Sequence, residues 1–362
     1  METQMGTFMK FIHIADIHLG AKPDRGYPWS SLREKEIWES FEGIIEECNK
    51  KQADLLLIAG DLFHKQPLLK ELKEVNYLFQ KLNKTRVVLM AGNHDYIGED
   101  SNYRAFLWAD NVHMLFDASM DSIYLEEINT EIYGFSYHTR NIIEYKYHQV
   151  APGCEERINI LLAHGGDEKN VPFDKRVLQE KGFDYIALGH IHKPQKLGER
   201  MAYAGSLEPM DKNEVGDRGY IYGEINKEDN QSDIKFAFYP FAKRRYFKVE
   251  LAITPDMTDG SVTDTLKGQI RESGSQNMYC FRLTGNRDKD ITFHKEKYYT
   301  LGNIIEITDE TVPDYDFDEL LRENRDNLIG LYIEKIKEES HQDNITQKAL
   351  YYGMEALLGA KN

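Results

Sequence analysis

A chain of 362 residues has room for two or three domains, each with its own core. Hydrophobic residues make up 41% of it, yet no apolar run approaches the roughly 18 residues that span a bilayer, and three scattered cysteines (Cys48, Cys154, Cys280) offer neither a disulfide framework nor a CxxC metal clip. The formal net charge of −16 excludes a general electrostatic grip on nucleic acid, so positive charge for phosphates must come locally, from a basic patch or bound cations.

The opening METQMGTFMKFIHIAD has no signal-peptide pattern and reads as a short tail before a strand. With so few cysteines, a reducing cytoplasm is the expected compartment. Five segments then share one plan, a short apolar run followed by polar residues: FIHIADIHLG (11–20), ADLLLIAGDLFH (53–64), RVVLMAGNHD (86–95), INILLAHGG (158–166) and FDYIALGHIH (183–192). Apolar runs of this length bounded by Gly predict strands covered on both faces.

Helical spacing separates the first three. Ile37, Phe41, Ile44 and Cys48, widened by Trp38 and Ile45, predict a helix over 33–50. Leu68, Leu72, Val75, Leu78 or Phe79, and Leu82 predict another over 68–84. Strand–helix alternation implies right-handed parallel crossovers and an α/β fold. Residues 121–138 read as a hairpin, and MAYAGSLEP, RGYIYGEI and IKFAFYPF as further strands. After about residue 243, YFKVELAI, MTDGSVTDTLKGQIRES, NMYCFRLTG and NIIEIT predict strand, helix, strand, strand. The tail from 317 reads as helical in two runs, FDELLRENRDNLIGLYIEKIKEES and ITQKALYYGMEALLGA.

Ligands of open α/β sheets bind at the carboxyl ends of strands, and all the polar clusters lie there. Asp16 and His18 alternate past the first strand, Asp61 and His64 follow the second, and Asn93, His94 and Asp95 the third. His164 closes the fourth, and His190 and His192 alternate past the fifth. Carboxylates, imidazoles and an amide oxygen suit divalent metals of borderline hardness. Besides His64 and His94 there are donors for two ions, with a central-strand carboxylate fit to bridge them. Such a pair clamps phosphoryl oxygens and acidifies water. It also supplies the local positive charge that the acidic chain lacks.

The series D-x-H, G-D, G-N-H-D, H-G and G-H-x-H, in this order over the first 200-odd residues, resembles the calcineurin-like metallophosphoesterases. GDLFHK, with His64 where the protein phosphatases carry Asp before Arg-Gly, and ALGHIHKPQ followed by YAGSLEP and GDRGYIYGEI, resemble the bacterial DNA-repair exonuclease branch of the SbcD and YhaO type. The resemblance implies a β-sandwich with flanking helices (1–242), a small α+β capping domain that positions DNA (243–315) and a C-terminal helical segment (316–362) for partner docking. It implies that Asp16, His18, Asp61 and His192 hold one ion and Asp61, Asn93, His164 and His190 the other, with Asp61 bridging and Mn²⁺ the usual metal. His94 would act on the leaving oxygen, supported by His64. The implied activity is exonuclease action on DNA, in repair or recombination. The implied partner is an SMC-like ATPase of the SbcC or YhaN type, and the branch often forms dimers.

Simpler readings stand beside these. A lone GNHD is compatible with an Asx-type turn, and it is the five clusters together that speak for a metal centre. His64 has a supporting structural role as its alternative. His13 alternates inward as a hydrogen-bonded core histidine, and His113, His138, His148, His294 and His341 have no partner pattern. The basic run Lys243, Arg244, Arg245 and Lys248 interleaves aromatics and could grip a nucleic-acid backbone, but a solvated linker is preferred. A small-molecule phosphodiesterase and a scaffold for the ATPase remain as alternative functions.

Overall fold

The computed structural model describes residues 6–338 and 344–359. The METQM tail, His341 and the outermost residues of both tail runs lie outside the described residues. The chain divides into two compact units, Met1–Tyr246 and Phe247–Asn362. In chain order the first contains β1 (Thr7–Ile14), α1 (Ser30–Lys51), β2 (Leu55–Ala59), α2 (Leu69–Phe79), β3 (Arg86–Met90), β4 (Val112–Met114), β5 (Asp121–Leu125) and β6 (Thr130–Gly134). There follow β7 (Ile158–His164), α3 (Lys175–Gln179), β8 (Tyr185–Gly189), β9 (Gln195–Lys196), β10 (Met201–Tyr203), β11 (Gly219–Glu228) and β12 (Gln231–Pro240).

The strands form two six-stranded sheets, in the orders β12-β11-β1-β2-β3-β4 and β5-β6-β7-β8-β10-β9. The run β1 to β4 is parallel, as is β6-β7-β8-β10. The predicted hairpin is β5 and β6, antiparallel. Alternation along each strand serves two cores at once. Met9, Phe11, Leu55, Leu57, Val88 and Met90 point inward against Ile132, Ile160, Leu162, Tyr185 and Ala187 of the second sheet. Ile12, Ile14, Leu56, Ile58, Val87 and Leu89 point outward beneath α1 and α2. Both faces being covered is why β2, β7 and β8 are apolar at nearly every position and buried throughout.

The five polar clusters therefore do not end one sheet. Three follow strands of the first sheet and two follow strands of the second. Ile14 lies opposite Ile58 and Ile58 opposite Leu89, so the first three strand ends are level. His164 is opposite Gly189 at the other sheet's edge of the same core. Two sheets packed face to face thus bring both sets of loops to one rim.

The helical stripes hold with local exceptions. In α1 the buried face includes Ile37, Phe41, Ile44, Ile45 and Cys48, and also Arg33. That guanidinium is buried because Glu208 lies 3.2 Å away and the Pro209 carbonyl 2.7 Å away, which ties the loop after β10 to α1. Leu68, expected on the stripe of α2, is half exposed, because the chain there is still extended and only begins to turn. His13 is the expected core histidine: Nδ1 meets the Tyr185 hydroxyl at 3.0 Å, and burial drives its pKa down to about 3.

The run 243–245 is neither a loose linker nor an open basic stripe. Lys243 pairs with Glu39 at 3.0 Å, Arg244 with Glu36 at 2.7 Å, and Arg245 with Asp217 at 2.9 Å. The α1 acids that a sequence reading leaves to solvent are the partners of Lys243 and Arg244.

In the second unit β13 (Tyr246–Ile253), β14 (Met278–Arg287) and β15 (Ile304–Asp309) lie side by side, with β16 (Val312–Pro313) beside β14. The helices are α4 (Asp259–Ser273), α5 (Lys295–Tyr298), α6 (Phe317–Glu323), α7 (Leu328–Glu338) and α8 (Asn344–Gly359). The first tail run, expected as one helix, is broken between α6 and α7. Asn324 Nδ2 donates to the Leu320 carbonyl, Asn327 Nδ2 donates to Asn324 Oδ1, and Asn327 Oδ1 accepts the Ile329 N–H. Short amide side chains that bond local backbone compete with the helix ladder, and here they end it. Among the described residues no helix is long and apolar enough to cross a membrane.

Candidate metal centre

Every sequence-predicted site residue lies at the rim where the two sheets meet. The turns that bring them there use unusual backbone. Asp16 (φ 50°), His18 (φ 54°), Asp61 (φ 51°) and His190 (φ 93°) all have positive φ. Non-glycine residues seldom adopt this region, and strain of about 1–3 kcal/mol each persists only where surroundings over-determine it. Here backbone bonds hold the turns: Asp16 N–H donates to Gly60 O, and His18 N–H to Asp61 O. Across the sheets, the His190 N–H donates to the Asp16 carboxylate (2.9 Å to Oδ2), and His164 Nδ1 faces the Ala59 carbonyl at 2.8 Å.

Two groups of donor atoms result. Asp16, His18 and His192 offer atoms all within 4.8 Å of one another, as do Asp16, Asp61 and His164. His18 Nε2 faces His192 Nε2 at 3.0 Å, two nitrogens that can share one proton at most. Asn93 Oδ1 is 3.0 Å from His164 Nε2 and 3.1 Å from His190 Nδ1. Asp61 lies between the groups, its Oδ2 3.5 Å from His164 and 3.9 Å from His18. Asp16 also reaches both. Asp61 Oδ2 and His18 Nδ1 are buried with no hydrogen-bond partner among the described residues. Lone pairs and anionic oxygens facing one another at a largely buried site are the donor set a divalent cation satisfies, so these residues fit metal ions.

The electrostatics agree. Burial, reinforced by the Asp61 charge, raises the pKa of Asp16 against the opposing imidazoles of His192 and His164. Burial acts the same way on Asp61, but the imidazoles of His164 and His18 outweigh it and hold that carboxyl below its usual range. His164 would be pulled down by burial, yet Asp61 and Asp16 lift it to about 9. His18 is pushed well below its ordinary value by burial, with His192, His94 and His64 adding to the effect against Asp61. Burial and the neighbouring His164 likewise lower His190.

Glycines make the approach possible. A Cβ on Gly92 would sit 2.3 Å from Asp61 Oδ1 and 2.8 Å from His164 Nε2. The Gly92 backbone is not left-handed, so alanine there is a purely steric change. Gly92→Ala should displace the Asp61 carboxylate and, because its Cβ would also meet the Asp61 backbone N at 2.7 Å, the strand end that carries it. Equilibrium dialysis with Mn²⁺ should find weakened uptake, and unchanged uptake would refute the close packing.

His94 and His64 stand beside this cluster rather than in it. The His94 N–H donates to Asp61 Oδ1 at 2.8 Å, and its Nδ1 meets the His64 carbonyl at 3.1 Å. The His94 ring stacks on His64 at 5.3 Å and lies 4.8 Å from His18. His64 itself is exposed, and its pKa is lowered by burial of part of the ring and by His94. His18, His64 and His94 also offer atoms within 4.8 Å of one another. Asp95 is wholly inside. It accepts the N–H groups of Gly92 and Phe63 and the Tyr103 hydroxyl, and burial with the Asp61 charge pushes its pKa up to about 7. It fixes the turn that carries Asn93 and His94.

Several contacts escape the sequence reading. Tyr137 and Tyr147 hydroxyls donate to the His164 carbonyl. Asp167 meets His190 Nε2, and Glu214 meets His192 Nδ1, each at 2.6 Å. The H-G-G-D spacing was a usable signal for Asp167; nothing in the sequence pointed to Glu214.

Comparisons with known proteins bear on this rim. The calcineurin-like phosphoesterase profile matches residues 9–194, just over half of the chain. The chain is 28% identical over 301 residues to the uncharacterized metallophosphoesterase YhaO of Bacillus subtilis, covering 77% of this chain and 72% of YhaO. It is 26% identical over 318 residues to the SbcD component of the nuclease SbcCD of Staphylococcus epidermidis, covering 76% of this chain and 79% of SbcD. The DNA double-strand break repair protein Mre11 of Methanocaldococcus jannaschii is 34% identical over 226 residues, covering 58% of this chain but only 59% of Mre11. The profile spans all five clusters, from β1 to the loop after β8, and for such a fold divalent metal ions are implied. The chain with this two-sheet rim belongs to the calcineurin-like phosphoesterase family.

Proposed function

We propose that the chain is a metal-dependent DNA phosphodiesterase, an exonuclease that acts in the cytoplasm in DNA repair or recombination. The observation that carries this reading is the convergence of two donor sets on Asp61 with His94 bonded to the same carboxylate. In this reading Asp16, His18, Asp61 and His192 hold one divalent ion, and Asp61, Asn93, His164 and His190 hold a second, with Mn²⁺ preferred. When bound, such ions supply Lewis acidity to the phosphoryl oxygens and lower the pKa of water.

The protein's own groups do the rest. Asp61 sets the spacing of the donor sets through Oδ2, which faces His164 and His18, while Oδ1 takes the His94 N–H. His94 Nδ1 faces a carbonyl, which only accepts, so that nitrogen carries the proton and Nε2 is left for the substrate. As an imidazolium His94 donates from Nε2 to the departing oxygen. His64, stacked on it, holds the ring through its backbone carbonyl and faces the phosphate. The polymer substrate is supported by the names of the relatives, a nuclease component and a DNA-break repair protein. In the same reading, residues 243–315 position DNA ends. The 316–362 segment, with Leu328, Leu331, Ile345 and Tyr352 exposed, docks on an SMC-like ATPase, and the chain pairs as a homodimer.

The test is digestion of an end-labelled duplex by the purified chain. Cleavage should stop with a chelator and return with Mn²⁺. Cleavage that survives chelation, or turnover confined to cyclic nucleotides or bis-p-nitrophenyl phosphate, would overturn the reading.

A further inference from the structure

Two carboxylates outside the donor sets touch the two histidines that follow β8. Glu214 Oε1 lies 2.6 Å from His192 Nδ1, and Asp167 Oδ2 lies 2.6 Å from His190 Nε2. An ionised carboxylate only accepts, so each imidazole nitrogen facing one must carry a hydrogen. The other nitrogen of each ring then keeps its lone pair. For His192 this is Nε2, 3.0 Å from His18 Nε2; for His190 it is Nδ1, 3.1 Å from Asn93 Oδ1. The two histidines, two positions apart, are therefore set in opposite tautomers, and each turns its lone pair to a different donor set.

Both carboxylates are themselves held. The second oxygen of Glu214 accepts the Met210 N–H at 2.9 Å. The second oxygen of Asp167 accepts the N–H groups of Lys169 (2.8 Å) and Asn170 (3.0 Å). The loop before Glu214 is anchored in turn by the buried Arg33–Glu208 pair. Neither carboxylate belongs to a strand, so what aims it is its own loop.

We propose that Glu214 and Asp167 are positioning residues, one for each ion: Glu214 orients His192 and raises its basicity at the Asp16–His18 site, and Asp167 does the same for His190 at the Asn93–His164 site. This rests on the reading of the cluster as a two-ion centre. His164 has a backbone carbonyl, that of Ala59, in the same capacity. A carboxylate behind a ligating histidine polarises it more than a carbonyl does, and losing such a partner typically weakens metal binding about 10–100-fold.

The test is Mn²⁺ titration of the full chain, read by isothermal calorimetry and by the electron paramagnetic resonance of free and bound Mn²⁺. Variants are Glu214→Ala, Asp167→Ala and the isosteric Glu214→Gln and Asp167→Asn, which keep an acceptor oxygen but lose the charge. Each alanine variant should weaken one ion about 10–100-fold and spare the other, with the amide variants falling between alanine and the unsubstituted chain. In an Asn93→Ala background, where the second site is crippled, Glu214→Ala should weaken the remaining ion and Asp167→Ala should not. Unfolding of the ion-free Gln and Asn variants should match that of the unsubstituted chain, which separates positioning from a loss of fold. Two ions bound by all variants within threefold of the unsubstituted chain would overturn this assignment alone. No Mn²⁺ uptake by the unsubstituted chain would overturn the two-ion centre and this assignment with it.

Discussion

An Asp61→Asn variant is expected to lose phosphodiester hydrolysis and metal occupancy together. Asparagine tolerates the left-handed backbone at this position (φ 51°) and can still accept the His94 N–H, so the turn is kept. What goes is the charge of a carboxylate whose Oδ2 has no partner of its own and faces His164 and His18. Because that oxygen lies between both donor sets, both ions should weaken. Activity should fall by more than the roughly 10²–10³-fold that one lost electrostatic donor costs. Elemental analysis after gel filtration, alongside the duplex assay, checks this. A variant that retains a full complement of metal would remove Asp61 from the bridging position.

His94→Gln should separate what Asp61→Asn joins. His94 is hydrogen-bonded to the cluster through its backbone N–H on Asp61, and its ring, beside that of His18, is held by the His64 carbonyl. Glutamine keeps the N–H and a polar side chain of similar reach, so both ions should bind as before. It supplies no proton, and turnover should drop about 10²–10⁴-fold, the range of a lost general acid. A substrate whose leaving group needs no proton, such as bis-p-nitrophenyl phosphate, should suffer less than DNA. Equal hydrolysis of DNA by the variant and the unsubstituted chain would end the case for His94 as the acid.

The ligand positions were legible because each combines two opposed signals, a run of apolar residues and then polar ones at its carboxyl end. β2 and β8 carry no polar side chain apart from the Tyr185 hydroxyl, so Asp61 and His190 stand out where those strands stop. The distribution over two sheets was not legible from periodicity, since β7 and β8 are as apolar as β2 and β3 and pair in the same parallel manner. Only the resemblance to the family supplied the sandwich. Glu214 was hidden because loops have no period, and a carboxylate in a loop looks the same whether it faces water or a histidine; Asp167 was passed over although it closes the His164-Gly-Gly-Asp run. The 243–245 run misled for a related reason. Charge in a sequence reads as exposure, whereas here Glu39, Glu36 and Asp217 neutralise it in place. The helix break at Asn324 and Asn327 falls in the polar run 322–327, between the apolar positions Leu321 and Leu328, and the helical reading of the tail simply ran across it.

That Asp16, His18, Asp61 and Asn93 come from one layer of the sandwich and His164, His190 and His192 from the other has a bearing on endurance. Cations gripped from both sides would rivet the layers together and bind only when the protein is folded, adding about 2.7 kcal/mol at a hundredfold excess over the dissociation constant. A cell short of the metal would then hold a phosphoesterase that is not merely idle but easier to unravel and degrade, so that supply of the ion would govern how long the protein lasts as well as how fast it works.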